Sequence, residues 1–304
     1  MSNVLIVGFG NIGYRHFESL VSYKKIDKIF LYDKNYNKLK NFKKKFKTNN
    51  KIVVLRSLNK NKKKFILSII STNSNVRFSL FKKIVNNFNV KNFIFEKIVF
   101  QNSKEYNLAN EIIKNNNLKC WINCPRRSWK IFKKLKRKIK KNQRLSIVVK
   151  GYNWGLLSNT IHFVDLFTFL TGKKDIKFYL NQLSEKIHKS KRVGFYETNG
   201  KILIKNSTGD KITLIDKKNK KKNELPFNLI QNKFNFYFNQ NDPNNRFKPP
   251  FQSRETIKHF KNILNNKKCN LPLFVSTYEF HKLYSEVIGD FIKKISKKNN
   301  YFFT

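Results

Sequence analysis

The stretch Val4-Leu5-Ile6-Val7-Gly8-Phe9-Gly10-Asn11-Ile12-Gly13 decides the fold class of this chain. Its first four residues form a continuous apolar run that ends at a glycine, which is typical of a strand buried on both faces of a parallel sheet. The remainder matches the pattern G-x-G-x-x-G, and the residue spacing that follows predicts a helix over 12–22. A strand, a glycine turn and a helix in this order predict the first βαβ unit of a dinucleotide-binding domain.

Each residue of the glycine turn has its own physical reason. Gly8 permits the tight turn, Gly10 lets the backbone approach a pyrophosphate, and Gly13 allows the helix to pack closely on the strand. Asn11 and Ile12 begin the helix, where free backbone N–H groups and the positive end of the helix dipole favour phosphate. The five residues are therefore predicted to bind the cofactor.

Asp33 follows the next predicted strand, twenty residues after Gly13. A carboxylate at this position accepts hydrogen bonds from the adenosine ribose hydroxyls, which favours NAD. The neighbouring Lys34 would tolerate a 2′-phosphate, so NADP stays possible. A glycine turn that binds nothing is the alternative, and the strand, helix and acidic residue around it argue against that alternative.

Strands and helices alternate through the first third of the chain and mix differently afterwards. In the first third, further strands are predicted at 28–32, 51–55, 65–71 and 92–95, and a helix at 103–115. Beyond residue 120 we expect helices at 129–139, 159–171, 254–264 and 276–294. Strands are expected there at 145–150, 200–206 and 211–216. This order predicts an α/β protein: an N-terminal Rossmann domain with a doubly wound parallel sheet, then a C-terminal α+β domain with a mixed, largely antiparallel sheet. We expect the domains to span 1–120 and 121–304.

Composition limits the class of protein. The 304 residues are 40% apolar and include 30 Phe and 12 Tyr, which predicts a folded globular chain. No run approaches the ~20 apolar residues of a membrane span, and residues 1–13 lack the features of a signal peptide, so a cytoplasmic protein without membrane contact is expected. Cys120, Cys124 and Cys269 lack metal-ligand spacing and are expected to be buried reduced thiols, with no metal bound.

The formal charge of +47 invites a nucleic-acid interpretation. The excess is mostly Lys, accompanied by many Asn, Ile and Phe, whereas Ala occurs once, at Ala109. These residues follow A/T-rich codon usage, and the lysine runs at 60–64, 130–141 and 217–222 are expected to be solvated faces. We therefore expect no specific nucleic-acid partner, although a basic nucleic-acid-binding protein remains the weakest of the alternatives.

Four further stretches make the chain resemble the family of glucose–fructose oxidoreductase, inositol dehydrogenase and MocA. They are Ser71-Thr72-Asn73 after the fourth strand, Glu96-Lys97 after the fifth, the helix with Asn159, His162 and Asp165, and a C-terminal segment with Gln252-Ser253-Arg254, Leu271-Pro272 and His281. Two positions depart from the family: Ile98 stands where it has proline, and Ser158 where inositol dehydrogenase-like members have aspartate.

The resemblance implies roles for particular residues. Ser71, Thr72, Asn73, Glu96 and Lys97 would contact the cofactor. Lys97 and His162 would be catalytic, because an ammonium at a strand end can protonate or polarise a substrate oxygen and imidazole exchanges a proton near neutral pH. Substrate contacts are predicted for Arg126, Tyr152, Asn159 and Asp165.

The activity that this resemblance implies is an NAD(P)-dependent oxidoreductase. Its substrate would be a sugar or sugar derivative, which an arginine could hold by a phosphate if it were nucleotide-activated. A homo-oligomer is expected. A noncatalytic dinucleotide-binding sensor or scaffold protein is the principal alternative, since the changes at Ile98 and Ser158 leave room for one.

Overall fold

The structure of the chain is a computed structural model. It describes residues 2–46, 50–59, 63–190, 192–218, 224–245, 247–296 and 302–303, without the side chains of Gln252, Ser253 and Ser296. The parts of two predicted lysine runs at 60–62 and 219–222 lie outside the described residues, as do the side chains of the Gln252-Ser253 pair.

Eight helices occur in the described part of the chain, in addition to a short 3-10 turn at Pro125–Ser128. They are α1 (Asn11–Val21), α2 (Tyr36–Lys45), α3 (Ser74–Asn87), α4 (Ser103–Asn115), α5 (Lys130–Lys138), α6 (Leu156–Thr171), α7 (Gln252–Leu264) and α8 (Phe274–Ser296). None of these helices is long and apolar enough to cross a membrane.

The described residues also form sixteen strands. They are β1 (Val4–Val7), β2 (Ile29–Tyr32), β3 (Ile52–Val54), β4 (Lys64–Phe65), β5 (Leu67–Ile70), β6 (Asn89–Val90), β7 (Asn92–Phe95), β8 (Lys119–Ile122), β9 (Ser146–Tyr152), β10 (Ile176–Leu183), β11 (His188–Lys189), β12 (Tyr196–Glu197), β13 (Gly200–Asn206), β14 (Lys211–Lys217), β15 (Pro226–Gln231) and β16 (Phe234–Asn239).

The chain forms two compact units. The first unit comprises Met1–Phe100, Lys104–Asn123 and Pro250–Tyr278, and the second comprises Gln101–Ser103, Cys124–Pro249 and Glu279–Thr304. The division into domains 1–120 and 121–304 remains a prediction, since a domain is defined by independent folding.

The first unit contains a six-stranded parallel sheet in the order β3-β2-β1-β5-β7-β8. Every residue of β1 and β5 is buried, as the continuous apolar runs predict for strands covered on both faces. Helix α7 adds Phe260 and Ile263 to this core although it lies far along the chain. The strand order reverses between β1 and β5, and this switch point is where parallel sheets bind ligands.

The second unit contains a six-stranded mixed sheet in the order β10-β13-β14-β9-β15-β16. Only β9 and β14 pair in parallel; the other neighbours are antiparallel. Helix α6 packs against β14 and α5, and buries Ile161, Val164 and Leu166. The predicted fold class, a Rossmann sheet followed by a mixed and largely antiparallel sheet, is therefore confirmed.

Candidate functional site

Steric contacts explain the glycines of the turn after β1. Gly8 has φ +89°, and a Cβ on it would lie 2.7 Å from the Thr72 backbone nitrogen. A Cβ on Gly13 would overlap the carbonyl oxygen of Gly8, so the helix can approach the strand only without a side chain there. A Cβ on Gly10, in contrast, would meet no atom within 4 Å. Gly10 thus leaves its backbone open to a ligand, while the other two glycines permit close packing.

Helix α1 begins directly at this open space. Its N-cap is Gly10, and among the described residues no side chain caps it and no acidic residue lies in its first turn. The N–H groups of the first turn of a helix have no partner within the helix, and the dipole is positive there. The start of α1 is therefore suited to an anionic group such as a pyrophosphate.

Asp33 is held in place at the end of β2 by two backbone hydrogen bonds. Its Oδ2 accepts from the Phe9 N–H at 2.7 Å and its Oδ1 accepts from the Asn35 N–H at 2.9 Å. Lys38, which the sequence analysis did not single out, donates from Nζ to the Phe9 carbonyl oxygen at 3.0 Å. The carboxylate keeps lone pairs for further donors such as ribose hydroxyls.

A cavity of about 510 Å³ joins the predicted cofactor residues of the first unit. Its wall includes Gly8, Gly10, Asp33, Lys34 and the loop Ser71 to Asn73, and it continues along one side of α3 to Leu80. The Ser71 hydroxyl donates to the Gly8 carbonyl oxygen at 2.7 Å, which ties that loop to the glycine turn. The volume lies within the ~300–1,000 Å³ of small-molecule sites in proteins.

Glu96 is buried at the end of β7, at the centre of a polar network. Its Oε1 accepts from Asn123 Nδ2 and lies 2.9 Å from His16 Nε2, and His16 Nδ1 lies 2.8 Å from the Thr256 hydroxyl. Burial acts to raise the pKa of Glu96, but the hydrogen bonds and charge of these partners outweigh it, so that the pKa is lowered. His16 thus connects α1 with the end of β7 and with α7 in one buried network.

Lys97 follows Glu96 directly and is partly buried. The peptide bond between Lys97 and Ile98 is cis. Because Lys97 stands at the carboxyl end of the parallel strand β7, its position agrees with the general location of ligand sites in such sheets.

Arg77 is a residue that the sequence analysis missed. It is fully buried on α3, and its guanidinium donates to the carbonyl oxygens of Thr72, Glu96, Ile98 and Val99. Its helical spacing from the buried Phe81 and Ile84 places it on the inner face of α3 and could have revealed it.

In the second unit, Asp165 on α6 is fully buried and binds Arg127. Its two carboxylate oxygens accept from Arg127, from Nε at 2.7 Å and from a terminal nitrogen. Burial raises the pKa of Asp165 to about 6, although Arg127 acts to lower it. Its predicted role in substrate binding remains a prediction.

Arg126, a predicted substrate contact, is buried. Its guanidinium lies over the rings of Phe163 and Trp129, at 4.5 and 5.6 Å from their centroids, and donates to Gln240 Oε1 at 3.0 Å. Burial lowers its pKa to about 10. The side chain is still cationic at neutral pH.

The start of α6 is fixed by carboxylates from two strands. Glu197 accepts from the N–H groups of Leu157 and Ser158 at 2.8 and 2.9 Å, and Asp216 accepts from the N–H of Gly155 at 3.2 Å. The helix therefore begins at 156, three residues before the predicted start. Burial raises the pKa of Asp216 to about 6, against the effect of its backbone hydrogen bonds.

The remaining predicted residues lie near this helix start. Asn159 Nδ2 donates to the Trp154 carbonyl oxygen at 2.6 Å. His162, one turn further along α6, and Tyr152, at the end of β9, are both partly buried. These residues and Arg126 belong to the second unit, whereas the predicted cofactor residues belong to the first.

The cysteines are free and buried, as predicted. Burial raises the pKa of the Cys120 thiol well above its usual range. No group of three or more His, Cys, Asp or Glu side chains in the described part of the chain is arranged to hold a metal ion.

Comparisons with known proteins find likeness in structure alone. No protein-family model matches the sequence. No curated protein matches it either.

Solved structures of several dehydrogenases share the fold along nearly the whole chain. Scyllo-inositol dehydrogenase from Lactobacillus casei, with NAD(H) and scyllo-inositol bound, superposes with a TM-score of 0.69 at 15% identity over 99% of this chain and 98% of that one. Myo-inositol dehydrogenase from the same organism, with NAD(H) and myo-inositol, gives 0.70 at 10% identity over 98% and 95%. GenD2 from gentamicin A biosynthesis, in complex with NAD, gives 0.71 at 12% identity over 98% and 94%.

The fold is thus the one that the sequence motifs resemble. At these identities the superposition shows the fold alone.

Proposed function

We propose that this protein is an NAD(P)-dependent oxidoreductase that acts on a CH–OH or carbonyl group of a sugar or sugar derivative. The observation that carries the proposal is the cavity of about 510 Å³ in which the glycine turn, Asp33 and the Ser71–Asn73 loop meet. A dinucleotide needs all three: an anion site, an acceptor for ribose and a wall on the nicotinamide side.

The residues present fit a nicotinamide dinucleotide. The open space at Gly10 leads to the start of α1, where Asn11, Ile12 and Gly13 provide N–H groups for the pyrophosphate. Asp33, held by Phe9 and Asn35, would accept from the adenosine ribose. This arrangement favours NAD, and the exposed Lys34 on the same wall leaves NADP possible.

When bound, the cofactor supplies a hydride donor or acceptor. Lys97 would hold or move a proton at the reacting substrate oxygen, since an ammonium can both donate a proton and stabilise negative charge. His162 would be a second group for proton exchange. Arg126, Tyr152, Asn159 and Asp165 would bind or position the substrate.

The proposed substrate class rests on the fold and on charge. Structures that share the fold hold inositols together with NAD(H). The cationic Arg126 suits an anionic group, which supports a sugar that carries a phosphate or carboxylate. We also propose that the protein is a homo-oligomer; Tyr179, Ile230 and Tyr237 are exposed on its second sheet and support such an interface.

The test is a titration of the purified protein with NADH and NADPH at physiological salt, followed by nicotinamide fluorescence. We expect micromolar binding with a preference for NADH that is lost in Asp33→Ala. In Lys97→Ala we expect turnover of a responsive sugar to fall at least ~100-fold at saturating cofactor, in the range of general acid–base catalysis.

Two other results would change the proposal. Absence of binding of either nucleotide would refute it. Tight binding without turnover on a broad panel of sugars would favour the noncatalytic dinucleotide-binding protein instead.

A further inference from the structure

Two loops that follow the neighbouring parallel strands β5 and β7 contact one buried cation, the guanidinium of Arg77. The first is the loop after β5, whose Thr72 carbonyl oxygen accepts a hydrogen bond from Arg77. The second is the segment Glu96–Val99 after β7, in which the carbonyl oxygens of Glu96 and Val99 accept from Arg77 at 2.6 and 2.9 Å and that of Ile98 accepts as well. Arg77 thus joins two loops that are separate in sequence.

The location of Arg77 makes this contact unusual. The side chain is fully buried on α3, a helix whose other inward residues include Phe81 and Ile84. A guanidinium is costly to bury unless its N–H groups are satisfied. Here carbonyl oxygens accept from both terminal nitrogens, and the carboxylate of Glu96 provides charge of the opposite sign.

The geometry of a guanidinium is essential to the contact. One terminal nitrogen of Arg77 faces the Glu96–Val99 segment and the other faces Thr72. A planar fork reaches both in a fixed geometry, whereas the ammonium of lysine has a single nitrogen. Lysine at this position could hold one loop and would release the other.

We propose that Arg77 is a positioning residue that fixes the Thr72 loop and the Lys97-containing segment at the nicotinamide end of the cofactor. This inference rests on the proposed function. Lys97 lies between two residues, Glu96 and Ile98, whose carbonyl oxygens bind Arg77. We call the hydrogen bonds from Arg77 to the carbonyl oxygens of Thr72, Glu96, Ile98 and Val99 the clamp. The clamp restrains the backbone on both sides of the proposed catalytic lysine.

The first measurement needs no cofactor. Hydrogen exchange of the free protein, followed by mass spectrometry, compares wild type, Arg77→Lys and Ile84→Ala. Ile84 is buried on the same helix but lies outside the clamp, so its variant controls for a general loss of stability. We expect exchange of peptides that cover 71–73 and 96–100 to rise about 10-fold in Arg77→Lys, as loops become less protected than the core. Equal rises in both variants would overturn the proposal.

The second measurement separates the two ends of the cofactor. ADP-ribose has the adenosine and pyrophosphate but lacks nicotinamide, so its dissociation constant reports on the glycine turn and Asp33 alone. We expect Arg77→Lys to weaken NADH about 10-fold and ADP-ribose less than about threefold, and Ile84→Ala to weaken the two ligands equally. If Arg77→Lys does not fold, Arg77→Gln takes its place, since it keeps N–H donors without the charge.

The results distinguish the clamp from the proposed function. Wild-type protein that binds neither ligand would refute the proposed function, and the clamp with it. Wild-type binding together with equal losses for NADH and ADP-ribose in Arg77→Lys, or no loss, would refute the clamp alone.

Discussion

Each unit of the molecule buries a carboxylate beside a basic group, and the two carboxylates behave in opposite ways. Around Glu96, donors arrive from several elements, including His16 on α1 and Asn123 after β8, and the pKa is lowered. Asp165 has Arg127 as its principal partner, and its pKa is raised to about 6. Burial acts to raise both pKa values. At Glu96 three residues, His16, Asn123 and Arg77, lower the pKa, whereas at Asp165, among the described residues, only Arg127 does.

The difference follows from where each carboxylate lies. Glu96 terminates a strand at the edge where loops and helix ends meet, and these expose polar groups. Asp165 lies inside α6, between Val164 and Leu166, where its own backbone is satisfied by the helix and the neighbours are apolar. Glu96, at a strand end, is therefore stabilised as a carboxylate by several residues. Asp165, inside a helix, depends within the described part of the chain on Arg127 alone for the stabilisation of its charge.

The largest expected effect is in Asp165→Asn. The substitution removes the negative charge and replaces one acceptor oxygen by a donor, so that Arg127 faces an amide from a largely buried position. Breaking such a pair from one side costs about 3–5 kcal/mol. Urea unfolding followed by tryptophan fluorescence, in a Trp121→Phe background, leaves Trp129 and Trp154 to report on the second unit.

Asp290→Asn is the matched control for this prediction. Asp290 also belongs to the second unit but is 78% exposed in its ion pair with Lys293, so its loss should leave the unfolding midpoint unchanged. If Asp165→Asn were as stable as this control, the inference that Asp165 and Arg127 stabilise the fold as a pair would be wrong.

A smaller effect on the stability of the second unit is expected when the pH is changed. The raised pKa values of Asp165 and Asp216 mean that the folded second unit takes up protons before the unfolded chain does, so these groups stabilise it as pH falls from 7 to 5. Glu96 has the opposite sign: its contribution is present at neutral pH and is lost only as pH falls below the usual range of a carboxyl group.

His281 opposes the two aspartates. It is fully buried, neither ring nitrogen has a hydrogen-bond partner among the described residues, and burial with the charge of Arg127 lowers its pKa to about 3. The unfolded chain protonates this histidine below about pH 6.5, so the folded unit loses stability there. We therefore expect the opposing changes to offset each other in the wild type between pH 7 and 5.

His281→Leu should reveal the contribution of the aspartates. The free energy of unfolding of the variant, minus that of wild type, should be about 2 kcal/mol larger at pH 5 than at pH 7. One pKa unit corresponds to about 1.36 kcal/mol. The measurement is the urea unfolding experiment at both pH values. A constant difference between variant and wild type would show that His281 is protonated or solvated in the folded state.

Local patterns were sufficient to predict much of the fold. The strand at 92–95 and the helix at 103–115 were predicted at the bounds that the structure has, because apolar runs and periodicity are local signals. The hairpin of β15 and β16 was missed, since its strands mix Phe and Leu with Asn and are partly exposed. Its turn uses Asn232 with φ +50°, a weaker sequence signal than glycine.

In the candidate site, too, local sequence patterns predict some features and miss others. The glycine turn and Asp33 follow from spacing alone, and the structure brings them to one cavity. Contacts between distant residues, such as Arg77 with the two loops and His16 with Thr256, depend on tertiary packing. No pattern within one segment contains that information.

The first unit is completed late in synthesis, because the chain contributes residues 250–278 to it after most of the second unit has been made. Thr256 contacts His16, and the N–H of Ile257 donates to the Ser19 hydroxyl at 2.7 Å. Both residues are made only after the segment 124–249 of the second unit. In a nascent chain that ends at residue 123 all six strands of the parallel sheet have been made, but α7, which packs against α1, has not. A cloned fragment of the first 123 residues would lack this cover on α1.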